Sequence, residues 1–318
     1  MTIICLLKMM EMKRLTIVFA MALLSLSVFA QDAAEAARYQ QRYDNLVSKF
    51  GPAGVGVETV LNNWEKADST SAAMLMGKFN YYFTKARSSQ AIKLPAKKYL
   101  GQDPLITLKD STGADVYYFE DPVFDDELFG QAVSAIDRAI KFHPIDMDYL
   151  FAKANAYLSY EKESPDMALD YLLQIVGLYK TKPNWKYEGK AVDDEFFTGA
   201  MQEYCYTFYT IASPRSYKAF KTLSETMSKQ YPKEMIFVSN LGSYYLVVEQ
   251  NYRKALKYYN TVLRKDPSNY LAMRNCALAA RRQKDVKAEK KYLRMMLRYC
   301  PDTERSSTQA RLDYLDRQ

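Results

Sequence analysis

The feature of the sequence that most constrains the fold is a spacing of small, aromatic and proline residues that recurs along the chain. In the stretch ALKYYNTVLRKDP, Ala255 is followed by Tyr259 at the fourth step and by Pro267 at the twelfth. Residues 132–144, AVSAIDRAIKFHP, repeat the alanine and proline at the same separation, with an apolar residue at the fourth step. A third copy ends at Pro301, 34 residues after Pro267. A period of about 34 residues indicates an array of small structural repeats.

A second segment precedes the alanine of the clearest copy and completes a recognisable pattern. It places Leu241, Gly242 and Tyr245 ahead of Ala255. The whole pattern resembles the tetratricopeptide repeat, which reads W-x2-L-G-x2-Y and then alanine, an aromatic residue and proline. The match departs by one extra residue between Gly242 and Ala255, which should lengthen the first helix or its turn. The resemblance implies antiparallel helix pairs that must stack on their neighbours to bury their apolar faces.

The third copy departs from the pattern, because Glu289 stands where the other two copies have alanine. Two insertions also break the repetition. In the first, the runs LITLKD and ADVYYFED flank the turn STG, which predicts a β-hairpin. The second, TKPNWKYEGKAV, is a polar loop that carries Trp185 and Tyr187. Loops that are held by a rigid scaffold often bind ligands, so both aromatic residues are candidate binding residues.

The sequence therefore predicts an all-α fold, a right-handed superhelical solenoid of about six helix pairs with a C-terminal capping helix and a small β-hairpin insertion. The predicted organisation is a signal peptide at 1–30, N-terminal helical repeats at 31–87, the hairpin insertion at 88–126, repeats at 127–180, the aromatic loop insertion at 181–193, C-terminal repeats at 194–302 and the capping helix at 303–318.

The N-terminal segment has the pattern of a secretory signal peptide. Lys13 and Arg14 precede an apolar run over residues 15–30 that ends in small or apolar residues. We expect cleavage near Ala30, a periplasmic or secreted mature protein, and no membrane-spanning segment after cleavage. Met12 is an alternative to Met1 as the start of translation.

Charge is distributed unevenly along the chain. Residues 251–318 contain 17 Lys and Arg against 7 Asp and Glu, a net charge of +10. Three interpretations remain open: a solvated helical face, contact with an anionic glycolipid or membrane surface, or contact with an acidic protein. A nucleic-acid partner is not expected behind a signal peptide.

Three cysteines remain after residue 30, an odd count that leaves at least one thiol unpaired. Cys205, Cys276 and Cys300 all lie in apolar helical patterns, which favours burial in the core. Whether any of them is reactive stays open at this point.

In tetratricopeptide repeats the first helix of each pair lines a concave groove. The resemblance therefore implies candidate residues for contact with an extended peptide, through asparagine hydrogen bonds and arginine clamps. These candidates are Asn240, Tyr244, Arg274, Asn275, Arg281 and Arg282.

The sequence contains no recognisable motif for catalysis, metal binding or cofactor binding. The acidic runs at 124–129 and 192–197 stand where helices begin, so we interpret them as helix caps. His143 is the single histidine, and no Cys-x-x-Cys is present. We therefore expect no metal, no cofactor and no enzymatic activity. The predicted function is a protein-interaction scaffold of the cell envelope, and the alternative is an adaptor for a glycan or anionic glycolipid.

Overall fold

The computed structural model describes residues 34–317, and the predicted signal peptide lies outside the described residues. Within this range the chain forms thirteen α-helices and five β-strands. The helices are α1 (residues 34–50), α2 (Val57–Ala67), α3 (Ala72–Ala86), α4 (Asp126–Phe142), α5 (Met147–Glu161), α6 (Asp166–Thr181), α7 (Asp194–Ile211), α8 (Pro214–Gln230), α9 (Met235–Val247), α10 (Tyr252–Lys265), α11 (Tyr270–Arg282), α12 (Val286–Tyr299) and α13 (Asp302–Asp316).

The all-α prediction, with six helix pairs and a closing helix, is confirmed. Successive helices pack in pairs, as seen for α3 with α4, α7 with α8, α9 with α10 and α11 with α12, and α13 packs on α12. The chain divides into two compact units. Among the described residues, one comprises 34–89 together with 122–153, and the other comprises 90–121 together with 154–317.

The two acidic runs cap helices, as the sequence predicted. The Asp125 side chain accepts a hydrogen bond from the backbone N–H of Leu128 at the start of α4, and Asp193 accepts one from Phe196 at the start of α7. Each carboxylate also lies at the positive end of its helix dipole. Both runs therefore have a structural role that needs no metal.

The first insertion contains the predicted hairpin and one strand that was not predicted. Strand β2 (Ile106–Lys109) pairs antiparallel with β3 (Asp115–Phe124), so that Thr107 lies opposite Tyr117. The unpredicted strand β1 (Arg87–Leu94) lies on the other side of β3, which gives the sheet order β1-β3-β2. The turn closes at Gly113, whose φ of 85° is a conformation that glycine adopts readily.

The second insertion also forms a short hairpin rather than a plain loop. Strands β4 (Lys186–Tyr187) and β5 (Lys190–Ala191) pair antiparallel around Gly189, which has a φ of 72°. The predicted polar loop therefore contains a short antiparallel pairing that was not predicted.

The repeat motif residues lie in the core of the second unit. Ala255 and Tyr259 are fully buried on α10. A Cβ atom at Gly242 would lie 2.8 Å from the Tyr259 ring, so α9 can approach α10 this closely only with glycine there. The Tyr259 hydroxyl makes hydrogen bonds with Ser243 at 2.9 Å and Asn275 at 3.1 Å, which fix the ring across three helices.

Among the helices within residues 34–317, none combines the length and the apolar character that crossing a membrane requires.

Candidate functional site

Two neighbouring first helices, α9 and α11, present matching exposed faces. The helices contact each other, and their sequences align at a separation of 35 residues, which places the buried Gly242 against the buried Ala277. The same separation pairs Ile236 with Leu271, and Val247 with Arg282. We define the α9–α11 face as the exposed residues Ile236, Val247, Leu271, Arg274, Leu278 and Arg282.

On α11 four of the five exposed residues form a single stripe. Leu271, Arg274, Leu278 and Arg282 follow one another at intervals of three and four residues, which places them on one side of a helix. Alanine, methionine and cysteine side chains occupy the opposite side and are buried in the core. The stripe therefore alternates aliphatic and basic side chains along the whole length of α11.

Polar side chains beneath this face are already engaged with one another. Asn240 is buried, and its amide donates a 2.8 Å hydrogen bond to Gln202 of α7. Asn275 is half-buried and donates to the Tyr259 hydroxyl. Asn240 was expected to meet a peptide backbone. Its burial corrects that expectation and indicates that it links α9 to α7.

The three predicted arginines have different environments. An Nη atom of Arg274 lies 3.6 Å from the Glu304 carboxylate, but half of the Arg274 side chain is exposed. Arg281 donates a 2.8 Å hydrogen bond to Glu289, which is buried. Arg282 is exposed and has no acidic side chain within ion-pair distance among residues 34–317. Arg282 is thus the most available cation of the three.

The role of Arg281 is tied to the buried charge on Glu289. Burial opposes ionisation of this carboxyl group, but hydrogen bonds from Arg311 and Arg281 outweigh it and hold the pKa of Glu289 below its ordinary value. Removing Arg281 would therefore disturb the core as well as the surface. Because about half of its side chain is exposed, Arg281 stays a candidate for partner contact while it also binds this buried carboxylate.

Tyr244 points towards α8 rather than towards α11. Its ring centroid lies 5.3 Å from that of Tyr245, and the Lys221 ammonium of α8 lies 5.1 Å from the Tyr244 centroid. The structure therefore places Tyr244 in a cluster with the Lys221 ammonium and the Tyr245 ring.

The structure buries Trp185, one of the two loop candidates. Its indole N–H donates to the Tyr179 carbonyl oxygen at 3.2 Å, and its ring stacks on that of Tyr179. A buried ring cannot meet a ligand from solvent, so the expectation of a binding role for Trp185 is corrected. Tyr187 is half-buried, with its ring 5.0 Å from that of Phe196.

Four aliphatic residues of the α9–α11 face were missed in the sequence: Ile236, Val247, Leu271 and Leu278. A signal for them was present, because each stands three or four residues from a predicted groove residue and hence on the same side of its helix. The resemblance implied only polar, aromatic and basic side chains for peptide contact, so these aliphatic residues were not among the candidates.

Within residues 34–317, no group of three or more His, Cys, Asp or Glu side chains is arranged so that it could bind a metal ion. The three cysteines in this range are buried and unpaired. Burial raises the pKa of Cys205 to about 12 and that of Cys276 to about 12, which disfavours the reactive thiolate.

Paired helices, buried small residues at their crossings and an exposed first-helix face together define an α-helical repeat protein. Comparison with known families gives the particular family. Residues 241–302 match the model of the tetratricopeptide repeat, so this segment of the chain contains tetratricopeptide repeats. The matched segment contains most of α9 and all of α10, α11 and α12. Folds of this family generally mediate protein–protein interactions and are generally non-catalytic scaffolds.

A solved structure from work titled "Functional Characterization of Pseudomonas Aeruginosa pilF" is similar to this chain. The two share 11% sequence identity, with a TM-score of 0.35, over 88% of this chain and 99% of the other. This likeness carries no functional conclusion. No curated protein matches the sequence.

Proposed function

We propose that this protein is a non-catalytic scaffold of the cell envelope that binds an extended segment of a partner protein on the α9–α11 face. The observation that carries the proposal is the row of aliphatic and basic side chains exposed on α11, which the exposed Ile236 and Val247 of the adjacent α9 extend. Exposed aliphatic clusters beside charged groups are typical of interaction surfaces. Repeat proteins commonly use such first-helix surfaces to bind other proteins.

The chemistry of the face indicates what the partner segment carries. Leu271 and Leu278 offer apolar contacts, while Arg282 has no acidic partner among the described residues. A guanidinium group pairs well with a carboxylate through two parallel hydrogen bonds. The expected partner segment therefore combines aliphatic and acidic side chains. The net charge of +10 over residues 251–318 favours the same partner and would speed its association.

The envelope location is supported by the sequence of residues 1–30. Lys13 and Arg14 ahead of the apolar run at 15–30 are typical of an export signal. Cell fractionation followed by N-terminal sequencing tests this part of the proposal. A protein that begins near Gln31 in the envelope fraction supports it. A cytoplasmic protein that still carries residues 15–30 would refute it.

Binding to a glycan or glycolipid is less well supported than binding to a protein. The burial of Trp185 removes the aromatic ring that a sugar would have stacked on. The half-buried Tyr187 and the basic C-terminal segment remain for that hypothesis, and the basic segment fits an acidic protein equally well. We therefore propose a protein partner.

A peptide-display library screened against the purified protein tests the binding proposal. We expect enriched peptides with acidic and aliphatic residues. Leu278→Asp should weaken their binding by about tenfold or more, since a central apolar contact is worth more than 1 kcal/mol. Leu178→Asp is the matched control on α6, because Leu178 is 36% exposed and Leu278 is 38% exposed.

The same binding assay tests the contribution of the basic side chains on the α9–α11 face. Arg282→Glu should weaken peptide binding, and the loss should shrink at high salt because exposed charges are screened. Arg298→Glu makes the same charge change on the exposed side of α12 and should leave binding unchanged. The proposed site would be refuted if the screen enriched no peptide. It would also be refuted if the test variants and the control variants lost peptide binding equally.

A further inference from the structure

The hairpin insertion is fixed firmly to the second unit. The buried carboxylate of Asp121 accepts hydrogen bonds from Lys162 at 2.7 Å, Tyr99 at 2.8 Å and Gln90 at 3.0 Å. Gly101 packs against Thr210 of α7, where an added Cβ atom would lie 3.0 Å from the threonine. The insertion is therefore held in one position by several contacts, which is the condition for presenting a defined surface.

Strand β2 forms an open edge of this anchored sheet. It pairs with β3 on one side and stands last in the sheet order β1-β3-β2. The exposed fractions of Leu105, Ile106 and Leu108 are 64%, 56% and 51%, whereas Val116 and Tyr117 of β3 are buried. Three large aliphatic side chains are thus left in solvent in and just before a strand that pairs with no other strand of residues 34–317 on its outer side.

The backbone of β2 is ready to accept another strand. The Asp110 N–H donates to the Ala114 carbonyl oxygen at 2.9 Å across the hairpin. Because donors alternate along an antiparallel pair, the N–H and C=O groups of Thr107 and Lys109 point to the open side. Edge strands are usually protected by proline, charge or a covering segment. Here Lys109, at the end of β2, is the single charged residue in the strand.

We propose that β2 pairs antiparallel with β2 of a second copy of this chain, centred on Thr107. This register places Ile106 of each copy opposite Leu108 of the other and sets the two Thr107 residues side by side. Such aliphatic and threonine pairs stabilise antiparallel strands. The nearby charges Lys109 and Asp103 are not needed for this pairing, because they form ion pairs within their own chain with Asp115 and Lys98, respectively.

The same edge could receive an unrelated peptide, but its own sequence favours a second copy. The pair of Ile106 with Leu108 forms twice in the two-fold arrangement, as an isologous interface requires. This proposal does not depend on the α9–α11 face, because the residues involved belong to the insertion. Variants of one surface therefore leave the test of the other intact.

The mass of the purified protein in solution is the first test. Sedimentation or light scattering over a range of concentrations should show the average mass rising towards twice that of one chain. Thr107→Pro removes an N–H that points outward, so it should abolish this rise while the hairpin bond of Asp110 is kept. Leu108→Lys, which keeps the backbone donors, should also abolish it. A mass that stays at one chain for the wild type would refute the proposal.

A disulfide test reports the register directly. In the proposed pairing the two Thr107 residues face each other within the range that a disulfide spans, so Thr107→Cys should give a covalent dimer on oxidation. Ser111→Cys is the control, because two copies of residue 111 would lie about 26 Å apart along the paired strands. The three buried cysteines of the wild type should give no dimer. Equal crosslinking through positions 107 and 111, or none through 107, would refute the pairing.

Discussion

The Glu289 carboxylate accepts two hydrogen bonds from the Arg311 guanidinium, one from Nε at 2.9 Å and one from Nη2 at 3.1 Å. Arg311 lies on the closing helix α13, whereas Glu289 lies on α12 at the place where other copies of the repeat have alanine. Arg281 of α11 donates a third hydrogen bond. A buried carboxylate thus joins the last helix pair to its cap, and its charge is balanced once α13 has docked.

Removal of Arg311 should destabilise the protein more than removal of Glu289. Arg311→Ala leaves a buried carboxylate with one remaining partner, at a cost of roughly 2–4 kcal/mol in the free energy of unfolding. Glu289→Ala restores the usual alanine and leaves two arginines that reach solvent, so its cost should be smaller. Denaturant unfolding of both single variants and the double variant measures the difference. A larger loss for Glu289→Ala would contradict this account.

The same carboxyl group should make stability depend on pH. The pKa of Glu289 is lower in the folded protein than its ordinary value of about 4.3. Its ionised form therefore stabilises the fold above that pH, and this stabilisation is lost as the pH falls through the folded pKa.

Comparison with Glu289→Gln isolates this effect from other carboxyl groups whose pKa is lowered, such as Glu65 and Asp121. The wild type should be more stable than the variant at neutral pH, and the gap should close in acid. Unfolding midpoints measured across the acid range test this. A gap that does not change with pH would show that the charge of Glu289 is not involved.

The close approach of α9 and α10 predicts opposite effects for two glycine substitutions. Gly242→Ala places a methyl group against the fixed Tyr259 ring and should destabilise the protein by about 1–3 kcal/mol. Gly177→Ala on α6 meets no neighbouring atom within 4 Å and should stabilise it by about 0.5–1 kcal/mol. Thermal unfolding of both variants is the measurement. Equal shifts in the same direction would be inconsistent with the crossing described here.

Substitution of Trp185 separates a packing role from a binding role. Because its ring is buried and its N–H is bonded to the Tyr179 carbonyl, Trp185→Ala should lower the free energy of unfolding by about 3–5 kcal/mol. Trp185→Phe should recover part of the packing and lose the hydrogen bond. Chemical unfolding of the two variants tests this, and an unchanged stability in Trp185→Ala would favour a surface role.

Much of the fold was predictable because the repeat motif joins nearby residues. Gly242, Ala255 and Tyr259 belong to one helix pair, so their spacing defines both the pair and its crossing. The β2–β3 hairpin was predictable for the same reason, since its strands flank a short turn. Strand β1 was not predicted, because RSSQAIKL lacks clear alternation and its partner β3 follows more than twenty residues later.

The candidate site was less predictable, because exposure and pairing depend on contacts between distant parts of the chain. Arg281 and Arg282 are adjacent in sequence, yet Arg281 bonds to buried Glu289 while Arg282 stays in solvent. The burial of Trp185 depends on Tyr179, whose ring stacks on Phe197 of the following helix. No spacing rule within one helix distinguishes these environments.

Site-specific photo-crosslinking in whole cells tests the central claim most directly. A benzophenone side chain at position 278 should form one dominant protein adduct, because the α9–α11 face binds the partner segment. The same group at position 178, whose leucine has nearly the same exposure, should form none. Equal adducts from the two positions, or none from position 278, would contradict the proposed binding face.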